Sequence, residues 1–220
     1  MGDQRTPLLF WDVDTQVDFM HADGKLYVPD AEEIEPNLAR LSRLADDLAI
    51  PVVASADDHG TDDAELSEEP DFQETYPPHC MHGTEGARRI PATDREWTAV
   101  IEHERLSDEE LEQALSQLPP RILIRKRRFD VFTNPNAGPL LERIDPARIV
   151  VYGVAMDVCN RHAIDGMLER GYDDITLVMD ATKPIHADQV PALLQRWREA
   201  GVKTKTTGEL VAELRRNATA

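Results

Sequence analysis

Short apolar runs alternate along this chain with stretches of amphipathic helical periodicity, and that alternation leaves few architectures open. The runs at residues 7–13, 51–55, 121–125, 148–152 and 174–179 read as strands, with a weaker one at 202–206. Helical spacing occupies 35–49, 107–117, 136–143, 158–170, 187–200 and 208–216. Ser107 and Glu110 form a capping-box start, and Gly171 and Gly201 stand where helices should end. Strands separated by helices in this way belong to a parallel sheet covered on both faces. A chain of 220 residues is the right size for one such domain, spanning 1–220. Ligands in these folds bind beyond the carboxyl ends of the strands, so the residues after each run are the ones to inspect.

One segment breaks the alternation. Residues 57–95 are long, acidic and irregular, and carry three histidines, a cysteine and aromatic residues. A loop of that length inside a compact domain is usually functional, and its side chains mark it as a binding loop.

Charge narrows the partners. The net charge of −18, from 24 basic and 42 acidic residues, argues against nucleic acid and anionic membrane surfaces, because phosphate binding needs clustered cations. No apolar run approaches the roughly 20 residues of a membrane span. The N-terminus has no signal-peptide pattern, so the cytoplasm is the expected location. The two cysteines, Cys80 and Cys159, form no CxxC pair and are expected as free thiols.

Four strand ends carry chemistry. Asp14 follows the first strand, Asp57-Asp58-His59 the second, Lys126 the run at 121–125, and the turn from Gly153 to Cys159 the run at 148–152. Each alone has an ordinary explanation: a cap, a solvated end, or a buried cysteine acting as packing. Together they place an acid, a cation and a thiol on one sheet edge. Cys159 falls in a helix's first turn near Lys126, and helix N-termini and nearby cations lower a thiol pKa. Asp14 is placed to take the thiol proton and return it to a leaving amine. The amides of Ala155 and Cys159 are placed to bind an oxyanion. Asp57 and His59, at i and i+2, share a face if the strand continues. With His79 they give two imidazoles and a carboxylate, a set that suits Zn²⁺, Fe²⁺ or Mn²⁺. Spacing leaves open whether Glu65 or Glu68 adds a ligand. His82, His103, His162 and His186 read as structural or solvated.

These stretches, taken in order, resemble the isochorismatase-like cysteine hydrolase superfamily, and within it the nicotinamidase (pyrazinamidase) branch. "VDTQVDF" resembles the opening signature, with Asp14 at the catalytic aspartate. "SADDH" is similar to the stretch carrying the metal-binding Asp and His. "YPPHCMHGTEGARRIP" resembles the nicotinamidase loop, with His79 at the third metal ligand. "IRKRRFDVF" resembles the lysine segment, and "GVAMDVCNRHAIDGMLERGYDDITLVMDA" the nucleophile segment. The resemblance implies a Rossmann-like three-layer α/β/α sandwich with a six-stranded, mostly parallel sheet. It implies a triad of Asp14, Lys126 and Cys159, and a cis peptide bond between Val154 and Ala155. It implies a metal held by Asp57, His59 and His79, and Phe19 and Tyr76 against the substrate ring. It makes Cys159, not Cys80, the nucleophile. Related folds assemble as dimers or tetramers, so a homo-oligomer is expected. The chain departs from the nicotinamidase pattern at Asp58, where an aromatic is usual, and at Tyr76, where Trp is common.

The function implied is hydrolysis of a small carboxamide through a cysteine thioester with release of ammonia, with nicotinamide the leading substrate. The alternative is a metal-independent amidase of the same superfamily acting on a linear amide or N-carbamoyl compound. A non-catalytic scaffold is a third reading, and the filled triad positions argue against it.

Overall fold

The computed structural model describes residues 6–219; the remaining termini of the expected 1–220 domain lie outside the described residues. One sheet runs through the molecule. Its strands are β1 (Leu9–Val13), β2 (Val52–Asp57), β3 (Ala99–Ile101), β4 (Arg121–Lys126), β5 (Ile149–Val154), β6 (Ile175–Lys183) and β7 (Lys203–Lys205). They lie in the order β3-β4-β2-β1-β5-β6-β7, and every ladder is parallel.

The sheet therefore has seven strands, not six, and is parallel throughout. The missed strand is β3, a three-residue edge strand with a half-exposed pattern. So short a run shows no readable period, and it lies directly behind the irregular loop. Strand β6 also outruns its apolar stretch: beyond a register shift, Gly153 and Val154 pair with Thr182 and Lys183.

Side chains alternate between two cores, as the two-residue period of a strand requires. Leu9, Trp11 and Val13 face one, with Val151 and Leu177. Helices α3 (Asp108–Ala114), α4 (Ala137–Ile144), α5 (Cys159–Glu169) and α6 (Val190–Glu199) cover that side. Phe10, Val52, Val150 and Tyr152 face the other. There α1 (Val17–Met20), α2 (Glu35–Asp47) and α7 (Thr207–Ala218) lie. The result is the expected α/β/α sandwich. The Ser107–Glu110 capping box is present, and a second, Thr206–Glu209, starts α7. Gly171 and Gly201 adopt φ of +86° and +94° just past α5 and α6, the left-handed stop that glycine permits. No helix is long and apolar enough to cross a membrane among the described residues.

From β1 the chain moves outward to β2, and only later crosses to β5 on β1's other side. The crossovers after β1 and after β5 thus cover opposite faces, and a crevice opens between their carboxyl ends. Gly153 is what lets the two strands close there. Its φ is +106°, and a Cβ at that position would lie 2.0 Å from the Val13 carbonyl oxygen.

Candidate active site

The acid, the cation and the thiol of the sequence meet at this crevice. Asp14 follows β1 in a left-handed turn with φ of +47°. Its Oδ1 accepts from Ser55 Oγ at 2.7 Å, and its Oδ2 lies 2.9 Å from Lys126 Nζ. Lys126, the last residue of β4, also contacts Asp57 and donates to Cys159 Sγ at 3.9 Å. Asp14, Lys126 and Asp57 are all buried. Burial pulls the Lys126 ammonium down, but the carboxylates of Asp14 and Asp57 outweigh it and hold it well above its ordinary range. Burial pushes Asp14 up, and Lys126 opposes it.

The thiol departs from expectation. Burial pushes Cys159 well above the usual cysteine range, and Asp14 and Asp57 add to that against the pull of Lys126. The desolvation of a covered site outweighs the helix terminus and the single cation. A thiol raised in this way needs a base to take its proton.

Cys159 opens α5 with no side-chain cap before it. The peptide bond between Val154 and Ala155 is cis. Most amides of the following turn are committed: Met156 N donates to Lys183 O, and both Val158 N and Asn160 N to Ala155 O. Asn160, fully buried, ties the turn to Gly153 O and Thr182 Oγ1 at 3.1 and 2.9 Å.

Beside Lys126 lies a second cluster. Ligand atoms of Asp57, His59, Glu65 and His79 all fall within 4.8 Å of one another, and all four residues are buried. The 57–95 loop, which contains no helix or strand after Asp57, delivers three of them. The choice between Glu65 and Glu68 is resolved by burial: Glu65 is 2% exposed, whereas Glu68 lies at the surface. Glu65 is further fixed by the Phe129 amide, which donates to its Oε2 at 2.6 Å.

The donor set fits a cation. His79 Nδ1 donates to the Pro77 carbonyl at 2.7 Å, and His59 Nδ1 to Asp63 at 3.3 Å. Each ring therefore presents the Nε2 lone pair inward. Both Nε2 atoms are buried without a hydrogen-bond partner. They lie 3.7 and 3.4 Å from Asp57 Oδ2, and each 3.7 Å from Glu65 Oε1. Four acceptors aimed at one point need positive charge between them. Burial lowers His59, but the surrounding carboxylates turn the net shift upward, as expected where a cation is drawn.

Residues 8–209 match the isochorismatase domain. The chain belongs to the isochorismatase family. It is 27% identical over 160 residues to the nicotinamidase/pyrazinamidase of Mycobacterium tuberculosis, covering 69% of this chain and 74% of that protein. It is 24% identical over 204 residues to a probable inactive nicotinamidase of Arabidopsis thaliana, covering 92% of this chain and 93% of that protein. The crystal structure of the pyrazinamidase of Pyrococcus horikoshii in complex with zinc superposes with a TM-score of 0.69 at 21% identity, covering 90% of this chain and 98% of that one. These relatives put this isochorismatase-family member near the nicotinamidase branch.

In this family member one small cavity reaches both clusters. Cys159 and Ala155 line one side, and Asp57, Glu65 and His79 another. Phe19 and Tyr76 both line it. Their rings lie 5.3 and 6.4 Å from that of His79. Burial pushes the Tyr76 phenol up to about 12, so it stays neutral.

Three contributors went unread in the sequence. Phe129 lines the cavity, packing on Tyr76 at 6.4 Å and on His162 at 4.7 Å. Ser55 orients Asp14. Gln16 joins β1's loop to β2. Phe129, three residues past Lys126, was the most findable; Ser55 and Gln16 look like ordinary polar residues until the strands are paired. Cys80 is buried beside His79, and burial pushes its thiol well up, which fits an inert neighbour. Of the other histidines, His82 pairs with Asp58 at 2.8 Å near the surface.

Proposed function

We propose that this amide hydrolase of the isochorismatase family cleaves a small carboxamide through a thioester on Cys159, and that nicotinamide, giving nicotinate and ammonia, is its substrate. One observation carries the reading: a single aromatic-walled cavity has the thiol on one side and the Asp57–His59–Glu65–His79 cluster on the other. A flat ring with a carboxamide at one end and a lone-pair nitrogen at the other matches that polarity. The nicotinamidase/pyrazinamidase of M. tuberculosis and the zinc in the Pyrococcus structure support it. The Arabidopsis relative is a probable inactive nicotinamidase, but here the acid, the cation and the thiol all converge.

The steps follow from the geometry. Asp14 accepts the Cys159 proton as the sulfur attacks the carbonyl carbon. The oxygen that becomes negative is received by the amides of Ala155 and Cys159. Lys126, within reach of both Asp14 and the sulfur, offsets the charge that moves between them. Asp14 then gives its proton to the leaving nitrogen, which departs as ammonia. A water, deprotonated by Asp14, attacks the thioester; the acid is released and the proton returns to the sulfur. Asp57, His59, Glu65 and His79 would hold a divalent cation, zinc, iron or manganese, which supplies Lewis acidity for the substrate's ring nitrogen and neutralises the buried carboxylates. Phe19, Tyr76 and Phe129 exclude water and hold the ring.

The test is ammonia release from nicotinamide by wild type and Cys159→Ala, each with and without chelation. Release that is lost in the variant, lost on chelation and restored by a divalent metal supports the reading. No release by metal-loaded wild type refutes nicotinamide. Release that survives chelation refutes a role for the metal; turnover of linear amides or N-carbamoyl compounds without metal, in place of nicotinamide, favours the alternative amidase.

A further inference from the structure

The "VDTQVDF" stretch contributes Asp14 and Phe19 to the site, and leaves a fully buried glutamine without an assigned task. We propose that Gln16 is a positioning residue for the metal centre: its side-chain amide supplies the sheet rung that β1 vacates, and so fixes Asp57. The inference rests on the metal-binding reading above.

Strand β1 leaves the sheet at Val13. Asp14 N still reaches Ser55 O at 3.2 Å, but the left-handed turn at Asp14 then carries the chain away. Strand β2 runs on to Asp57, paired on its far side with Lys126 of β4. On the β1 side no strand remains to meet the Asp57 backbone. Gln16 fills that place. Its Oε1 accepts from Asp57 N at 2.7 Å, and its Nε2 donates to Asp57 O at 2.8 Å. These replace the two backbone bonds that a continuing parallel strand would make to Asp57 from two of its residues. The second Nε2 hydrogen goes to Ala87 O at 2.8 Å, which ties down the loop beyond His79.

The consequence concerns ligand geometry. The Asp57 carboxylate is divided: Oδ1 contacts Lys126, while Oδ2 faces His59 and His79. One carboxylate serving a triad cation and a metal tolerates little displacement, and a backbone held on both sides fixes the Cα from which it hangs. Gln16 also lets Asp14 turn out of the sheet two residues before Asp57 must stay in it. Groups that orient metal ligands typically change metal affinity about 10–100-fold when removed.

The experiment measures zinc affinity by competition with a chromophoric chelator, alongside urea unfolding of the metal-free protein. The variants are Gln16→Met, which keeps length without polarity, Gln16→Glu, which sets a carboxylate against two carbonyls, and Thr93→Val. Thr93 belongs to a neighbouring buried hydrogen bond with Thr15 at 2.6 Å and controls for general loss of stability. The expected result is zinc binding at least tenfold weaker in folded Gln16→Met, with Thr93→Val within twofold of wild type. Equal affinity in Gln16→Met, or equal weakening in Thr93→Val, overturns the inference. If Gln16→Met does not fold, Gln16→Glu is held to the same thresholds. Wild type that binds no zinc would instead refute the metal-centre reading itself.

Discussion

Replacing Lys126 with methionine removes the one cation lying between two buried carboxylates. Asp14, Lys126 and Asp57 are 0, 1 and 2% exposed, and the ammonium contacts both acids. Deleting one partner of such a buried set costs about 3–5 kcal/mol, because charge is left in the interior without its counterpart. In a chain of this size each kcal/mol moves the midpoint by about 2–4 °C, so a fall of about 6–20 °C is expected. The pH dependence gives a sharper check. In wild type, Lys126 and the two cluster histidines hold Asp57 well below its ordinary value against the burial that would raise it. Lys126 itself is held far above its own. Both stay charged between pH 5 and 8, so their contribution is flat there. In Lys126→Met the two carboxylates face each other, and their pKa values rise above those of the unfolded chain. The folded state then binds more protons than the unfolded one, and stability falls as pH rises. Asp14, already raised by burial in wild type, shifts both proteins the same way, and the difference reports the lost cation. Urea unfolding of metal-free wild type and Lys126→Met at pH 5 and pH 8 should show the larger deficit at pH 8. A deficit below about 1 kcal/mol, the scale of an exposed ion pair, or one equal at both pH values, would refute the argument.

Three further outcomes are expected. Cys159→Ala should lower turnover of any accepted amide by about 10³-fold or more while leaving zinc stoichiometry unchanged, read by single-turnover kinetics and metal analysis; retained turnover would exclude a thioester route. Glu65→Gln should weaken zinc binding by about tenfold or more, whereas Glu68→Gln, at the surface, should stay within twofold; the same chelator competition distinguishes them. Gly153→Ala places a methyl group 2.0 Å from the Val13 carbonyl at a positive φ, and should destabilise the fold by about 2–5 kcal/mol in urea unfolding.

Much of the sheet was legible because buried parallel strands must be apolar along their length, as "IVVYGV" is at β5. Strand β3 was not legible: three residues at an edge, half exposed, carry no period. Asp14, Lys126 and Cys159 could be read as candidates because each follows a readable strand. The fourth cluster carboxylate could not, because Glu65 and Glu68 differ only in how an aperiodic loop folds back onto Phe129.

The sequence by itself determined the layered α/β/α plan and the edge where the candidates Asp14, Asp57, His59, Lys126 and Cys159 gather. Those follow from local pattern: apolar runs dictate strands, and polar residues just past them lie at strand ends; His79, in an aperiodic loop, does not follow from it. Only the tertiary structure decided which glutamate joins the cluster, that Gln16 stands in for a missing rung, and that Phe129 closes the cavity. It also decided that burial pushes the Cys159 thiol up rather than down. That direction depends on how completely water is excluded and on the distances to Lys126, Asp14 and Asp57, which are set by packing between segments far apart in the chain.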